Sequence, residues 1–294
     1  NVENKNEQKV KIYTMSNIEN IHLKRLLNSA EYYNVKIDVI RPEIWTSNLM
    51  KIELLKEKLE SHKPDDIVML IDAWDIIISA DSETIYQKFL KFNSKVVFSA
   101  QYGGNLWARH SEEEREVERE YYSRNPKSPN IYDTLCAGSF IGYAESLLDI
   151  INHMMAKYTE LDTKSEQSFY TRYFIDYPEK IKLDYYQELF SCENPIKTNK
   201  RRYWLFGRSY KTSPDNLRVI DNKTYNSITK TNPSIIHTPS NQYEYLDKLY
   251  YRHIFNDDSI LRYELKTKNN YFYYFISLLL IFFSYLIKPY CCIF

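Results

Sequence analysis

The stretch IVMLIDAWDIIISA, residues 67 to 80, carries two carboxylates, Asp72 and Asp75, inside an otherwise almost wholly apolar run. A charged group at the end of a buried strand is poorly hydrated, so its presence there calls for a compensating partner. Two aspartates separated by a tight turn through Ala73 and Trp74 can converge on one divalent cation, and their hard oxygens suit Mn²⁺ or Mg²⁺. Such a cation would neutralise a diphosphate. The plainer alternative is that Asp72 caps the next element and Asp75 makes a surface ion pair, since a bare D-x-x-D is common.

The elements around the pair are those that place ligands at strand ends. VKIYTM reads as a first strand, HLKRLLNSAEYY as a helix and VKIDVI as a second strand. KIELLKEKLESH, residues 51 to 62, has apolar residues at 52, 54, 55 and 59 with charges between them, the pattern of an amphipathic helix. IVMLID then reads as a central strand covered on both faces, SETIYQKFLKF as a helix and KVVFSA as another buried strand. AGSFIGYA is a further strand candidate and SLLDIINHMMAKY a helix. This alternation predicts an α/β doubly wound sheet, mostly parallel, with ligands at the carboxyl ends of its strands.

Composition narrows the classes. The 294 residues hold 39 basic and 39 acidic side chains, a balance that argues against nucleic acid as a partner. The four cysteines, Cys136, Cys192 and the adjacent Cys291 and Cys292, form no disulfide framework and no C-x-x-C zinc pattern, so reduced thiols are expected. Residues 1 to 9 are polar and predict a disordered segment, with the folded domain over 10–255 and a linker over 256–270. Residues 271 to 287 carry no charge, and as a helix they would span roughly 26 Å against a hydrocarbon core near 30 Å. Flanking lysines and tyrosines could make up the difference, which predicts a membrane-spanning or membrane-associated C-terminal helix over 271–288. The terminal CCIF formally fits a C-a-a-X box, a motif short enough to match by accident.

An ordered series of segments resembles one family: SAEYYNVKI at 29 to 37, KIELLKEKLE at 51 to 60, IDAWDIIIS at 71 to 79 and KFLKFNSKVVFSAQ at 88 to 101. It continues with AGSFIGYAESL at 137 to 147, EQSFYTRYFID at 166 to 176 and SIIHTPSN at 234 to 241. Residues 12 to 250 resemble the glycosyltransferase domain of the procollagen lysyl hydroxylases and related collagen glycosyltransferases. The resemblance implies a GT-A fold, a UDP-hexose donor and Mn²⁺ or Mg²⁺ as cofactor. It assigns Asp72, Asp75 and His237 to the metal, the last completing an oxygen, oxygen, nitrogen set. Trp74 falls where the family stacks an aromatic ring on uracil, Thr14 and Met15 match the end of the first strand beside the nucleotide, and Trp107 lies near the donor. Lys51 is a further donor-binding candidate, and Asp162 and Glu166 are the acids left to contact the acceptor or assist transfer.

Three departures accompany the likeness. A run of aspartates before Q-x-F-Y-T is thinned here to LDTKSEQSFYT, N-S-G-G is replaced by CAGS with Cys136 and Ser139, and a glycine-rich loop before Lys51 is replaced by TSNLM. A hydroxylase iron site is not expected, because the H-x-E at His110 and Glu112 lies in a charge-dense segment rather than on a strand. The resulting expectation is transfer of glucose or galactose from a UDP-sugar to hydroxylysine or galactosyl-hydroxylysine of collagen-like protein, at an endomembrane such as the endoplasmic reticulum. Two alternatives stay open: a surface-glycan or lipid-linked acceptor, and a catalytically degenerate domain that only binds.

Overall fold

The computed structural model describes residues 8–102, 128–158, 165–193, 216–221, 223–239 and 243–255. Candidates Trp107 and Asp162, the His110 segment, the linker 256–270 and the apolar stretch 271–288 lie outside them. Among the described residues no helix is long and apolar enough to cross a membrane. Of the polar segment 1–9, residues 1–7 are likewise outside. Gln8 is tied to the neighbouring strand, its amide donating to the Lys36 carbonyl and its oxygen accepting from the Lys36 N–H.

The expected alternation is realised through β1 (Val10–Met15), α1 (Ile21–Tyr32), β2 (Ile37–Ile40), α2 (Met50–Leu59) and β3 (Ile67–Ile71). Then follow β4 (Ile76–Ile78), α3 (Ser82–Lys91), β5 (Val96–Tyr102), β6 (Tyr132–Tyr143), α4 (Ala144–Lys157) and α5 (Glu166–Asp176). Short strands β7 (Lys182–Asp184), β8 (Phe190–Cys192), β9 (Leu217–Ile220), β10 (Lys223–Asn226) and β11 (Ile235–His237) lead to α6 (Tyr243–Phe255). The starts of α1 and α3 follow capping chemistry: Asn20 accepts from the N–H groups of His22 and Leu23, and Asp81 from that of Thr84.

The central sheet has the order β2-β1-β3-β6-β5-β7. Pairs β1/β2, β1/β3 and β5/β7 are parallel, whereas β6 runs against both of its neighbours. The mostly parallel sheet is therefore mixed at its centre. Both faces are buried, and the pleat divides each strand between them. On β3, Val68 and Leu70 join the core under α2, α4 and α5 with Leu55, Ile151 and Phe169, while Ile67, Met69 and Ile71 join Leu26 of α1 and Phe89 of α3.

From β1 the chain steps outward to β2, then crosses back to β3 on the other side of β1. The strand order reverses between β1 and β3, and a crevice opens beyond their carboxyl ends. At that point the apolar run first noted in the sequence divides. Asp72 still extends the main sheet, its N–H donating to the Gly138 carbonyl at 2.8 Å. By Ile76 the chain has joined a second, three-stranded sheet, β4-β11-β8, in which Ile76 faces His237. The two aspartates thus occupy the turn between two sheets.

Candidate functional site

Strand pairing alone brings the aspartates and His237 together. β11 lies antiparallel to β4, and the Thr238 N–H donates to the Asp75 carbonyl at 2.9 Å, which fixes the histidine opposite the turn. His237 Nε2 stands 3.4 Å from Asp75 Oδ1 and 3.8 Å from Asp72 Oδ2. It is buried and has no hydrogen-bond partner. A buried imidazole nitrogen between two carboxylates is the donor set a divalent cation of intermediate hardness takes once it displaces any proton there, so the three residues fit the Mn²⁺ or Mg²⁺ site. Gly138 lets them close up: a Cβ there would fall 2.4 Å from His237 Cε1 and 2.6 Å from Asp72 Oδ2.

The charges shift one another. Burial and the neighbouring Asp75 push Asp72 up to about 6 against the pull of the Lys51 ammonium. Burial also works to raise Asp75, but the imidazole of His237 holds it below the usual carboxylate range. Burial would lower His237, yet Asp75 and Cys136 raise it well above the ordinary imidazole value. A field that favours a proton at this point favours a metal cation equally, and a bound cation would displace that proton.

Lys51, in the first turn of α2, bridges Asp72 Oδ1 at 2.6 Å and Glu166 Oε1 at 2.7 Å. Burial disfavours its charge, but the two carboxylates overcome this and raise its pKa. Glu166 opens α5, and its other oxygen, Oε2, is buried without a hydrogen-bond partner. Gln167 locks that helix start onto β6, accepting from the Ala137 N–H and donating to the Leu135 carbonyl, both at 2.7 Å. Glu166 is thereby held beside Lys51 and Asp72, a positioning role for Gln167 that the EQSFYT motif did not disclose.

Beyond these charges lies a pocket of about 320 Å³, lined by Lys51, Asp72, Ala73, Trp74 and Asp75 together with Met15, Ser16, Asn17, Trp45, Asn48 and Tyr243. Trp74 is 36% exposed, and its indole N–H donates to Ser16 Oγ at 3.2 Å, which holds the ring in place at the pocket wall. Arg25 of α1, itself buried, ties the Trp74 carbonyl to Asp247 of α6. Tyr243 at the start of α6 stacks on His22, centroids 3.8 Å apart. Met15 lines the pocket, but Thr14 does not: it is fully buried, and its hydroxyl donates to the Ile71 carbonyl within the sheet. The side chain of Thr14 therefore joins β1 to β3 and faces no ligand.

The structure thus gathers Asp72, Asp75, His237, Lys51, Glu166, Trp74 and Met15 around one crevice. A family model described as the PLOD GT domain matches residues 6–260. The chain belongs to the PLOD glycosyltransferase-domain family. It is similar to the procollagen-lysine,2-oxoglutarate 5-dioxygenase 1 of Mus musculus, 30% identical over 185 residues covering 59% of this chain and 23% of that protein. The Gallus gallus protein of the same name is 29% identical over 209 residues, 65% of this chain and 26% of its own. A procollagen-lysine,2-oxoglutarate 5-dioxygenase of Drosophila melanogaster is 24% identical over 207 residues, 64% of this chain and 27% of its own. The matched part spans about a quarter of these relatives.

Proposed function

We propose that this PLOD-type domain is a metal-dependent hexosyltransferase that moves glucose or galactose from a UDP-sugar to hydroxylysine or galactosyl-hydroxylysine in collagen-like protein. The observation that carries the reading is the convergence of Asp72, Asp75 and the unpartnered His237 Nε2 at the edge of a crevice walled by Trp74. Asp72, Asp75 and His237 would hold Mn²⁺ or Mg²⁺, which when bound supplies Lewis-acid stabilisation to a departing diphosphate.

The remaining steps belong to the chain's own groups. Trp74 offers an exposed indole face for the uracil ring. Lys51 places an ammonium beside Asp72, where phosphate or sugar oxygens would be neutralised without proton transfer. Glu166 orients that ammonium through one oxygen, which holds Lys51 beside Asp72 at the pocket wall. Holding both substrates in one crevice supplies the proximity part of the acceleration. Asp162, Trp107 and Thr14 remain proposals from the resemblance, the last through its backbone alone. The apolar stretch 271–288 supports membrane association, tested by detergent requirement and by protease protection in microsomes.

The test is Mn²⁺-dependent UDP release from UDP-glucose and UDP-galactose, then addition of peptides bearing hydroxylysine or its galactosylated form. Release stimulated by one of these peptides supports the reading. Release without stimulation points to a glycan or lipid-linked acceptor. Neither release nor UDP binding overturns the enzyme and leaves a binding domain, a reading that the existing clamp of Lys51 on both Asp72 and Glu166 favours.

A further inference from the structure

The His237 ring has a second face. Its Nε2 looks at the two aspartates, but its Nδ1 lies 3.6 Å from Cys136 Sγ and 3.7 Å from Cys192 Sγ. The two sulfurs are 3.4 Å apart, and both thiols are free. The three side chains come from β6, β8 and β11, and all are buried, with 4%, 0% and 2% of Cys136, Cys192 and His237 exposed.

We propose that Cys136, Cys192 and His237 Nδ1 form a second, soft metal site that takes a thiophilic d¹⁰ cation, Zn²⁺ or Cu⁺. The triangle is already the right size. With metal–sulfur bonds of about 2.3 Å and metal–nitrogen bonds of about 2.05 Å, a tetrahedral centre separates two sulfurs by about 3.8 Å and sulfur from nitrogen by about 3.5 Å. The observed edges of 3.4, 3.6 and 3.7 Å each lie within about 0.4 Å of these values. Three strands in two hydrogen-bonded sheets hold the vertices, so ligation needs little rearrangement. Sulfur and imidazole are the ligands that select zinc and cuprous ions, whereas the carboxylates across the ring select harder ones.

Binding forms two metal–sulfur bonds and one bond to Nδ1, and the protons that the thiols and the ring give up pass to solvent, with no change of oxidation state. The two sites share one imidazole. A neutral ring has one free lone pair, so a soft cation on Nδ1 and a hard cation on Nε2 compete unless the ring gives up both protons. The soft site is therefore placed to turn the hard site down.

Cobalt(II) is the probe for the zinc arm, because thiolate ligation gives a sulfur-to-cobalt charge-transfer band. The protein used is the full chain carrying Cys291→Ser and Cys292→Ser, which removes the remaining thiols. The expected result is a band that saturates at one equivalent, is displaced by Zn²⁺, disappears in Cys136→Ser and in Cys192→Ser, and persists in Asp75→Asn. Persistence in Asp75→Asn separates this site from the carboxylate site, so the failure of one reading is not the failure of the other. For the cuprous arm, competition against a chromophoric Cu⁺ chelator is measured on the same proteins. Thiol-dependent retention of Cu⁺ without a cobalt band assigns the site to copper. No thiol-dependent binding of either ion to the parent protein overturns the proposal, an outcome that needs no folded serine variant.

Discussion

Gly138 and His237 stand so close that the absent side chain of one makes room for the ring of the other: a Cβ on Gly138 would lie 2.4 Å from His237 Cε1. The obstruction is a buried ring packed between two sheets, with the Asp72 carboxylate 2.6 Å away on the same side. Gly138→Ala must therefore move His237, Asp72 or β6. Overpacking of this kind costs about 1–3 kcal/mol. Mn²⁺ affinity, measured by calorimetry, is expected to fall by about tenfold or more, since outer changes that reorient a metal ligand have effects of that size. A variant that keeps parental Mn²⁺ affinity would show that the three ligands do not act from this geometry.

Lys51 neutralises two carboxylates at once, which makes it a structural cation. Lys51→Met leaves Asp72 and Glu166 facing each other without it, and breaking a largely buried pair from one side costs about 3 kcal/mol. Glu166→Gln alone removes one of the two charges, and the double variant should lose less than the sum. A coupling energy of about 1–3 kcal/mol in a denaturation cycle is the expected outcome. Strict additivity would mean that the ammonium is solvated in solution and does not bridge the acids.

Trp74 presents an exposed indole face whose orientation is set by the bond to Ser16 Oγ. Base–aromatic stacking is worth about 1–3 kcal/mol by alanine substitution. Trp74→Ala is expected to weaken UDP binding by about tenfold or more, and Trp74→Phe to retain most of it while losing only the indole N–H bond. Equal UDP affinity in all three proteins, by fluorescence or calorimetric titration, would remove Trp74 from the nucleotide site.

Much of this site was legible because it rests on short, strongly patterned segments. The apolar runs of β1, β3 and β5 and the periodic spacing of α2 locate the strand ends, and Asp72 and Asp75 interrupt a run too apolar to carry them idly. Strand direction was not legible: β6 is buried on both faces like its neighbours, and burial looks the same whichever way a strand runs. Nor did the sequence disclose that IIIS leaves the main sheet, because β4, β8 and β11 have three residues each and gain their pairing from one another. Tyr243 was missed because it reaches the pocket from the far end of the chain through α6. Gly138 did leave a signal. In a chain with five glycines, one inside an apolar strand marks a close approach by another group.

His253, on the same helix that brings Tyr243 to the pocket, gives the fold an acid limit. Its ring is buried against Tyr33 at the end of α1, whose hydroxyl bonds Nε2, and burial lowers its pKa to about 4. The unfolded chain returns this histidine to about 6.5 and therefore binds more protons than the folded one between those values. The stability contributed by the neutral ring is complete above pH 6.5 and is lost as pH falls toward 4, about 2 kcal/mol of it by pH 5. His253→Phe keeps an aromatic ring in the same space but cannot take up the proton. Urea midpoints measured from pH 7.5 to 5 should drop more steeply for the parent than for this variant, and UDP binding should weaken over the same range as α6 loosens. Parallel midpoint curves would show that His253 does not titrate between the folded and unfolded states, and the docking of α6 would then owe nothing to its burial as a neutral ring.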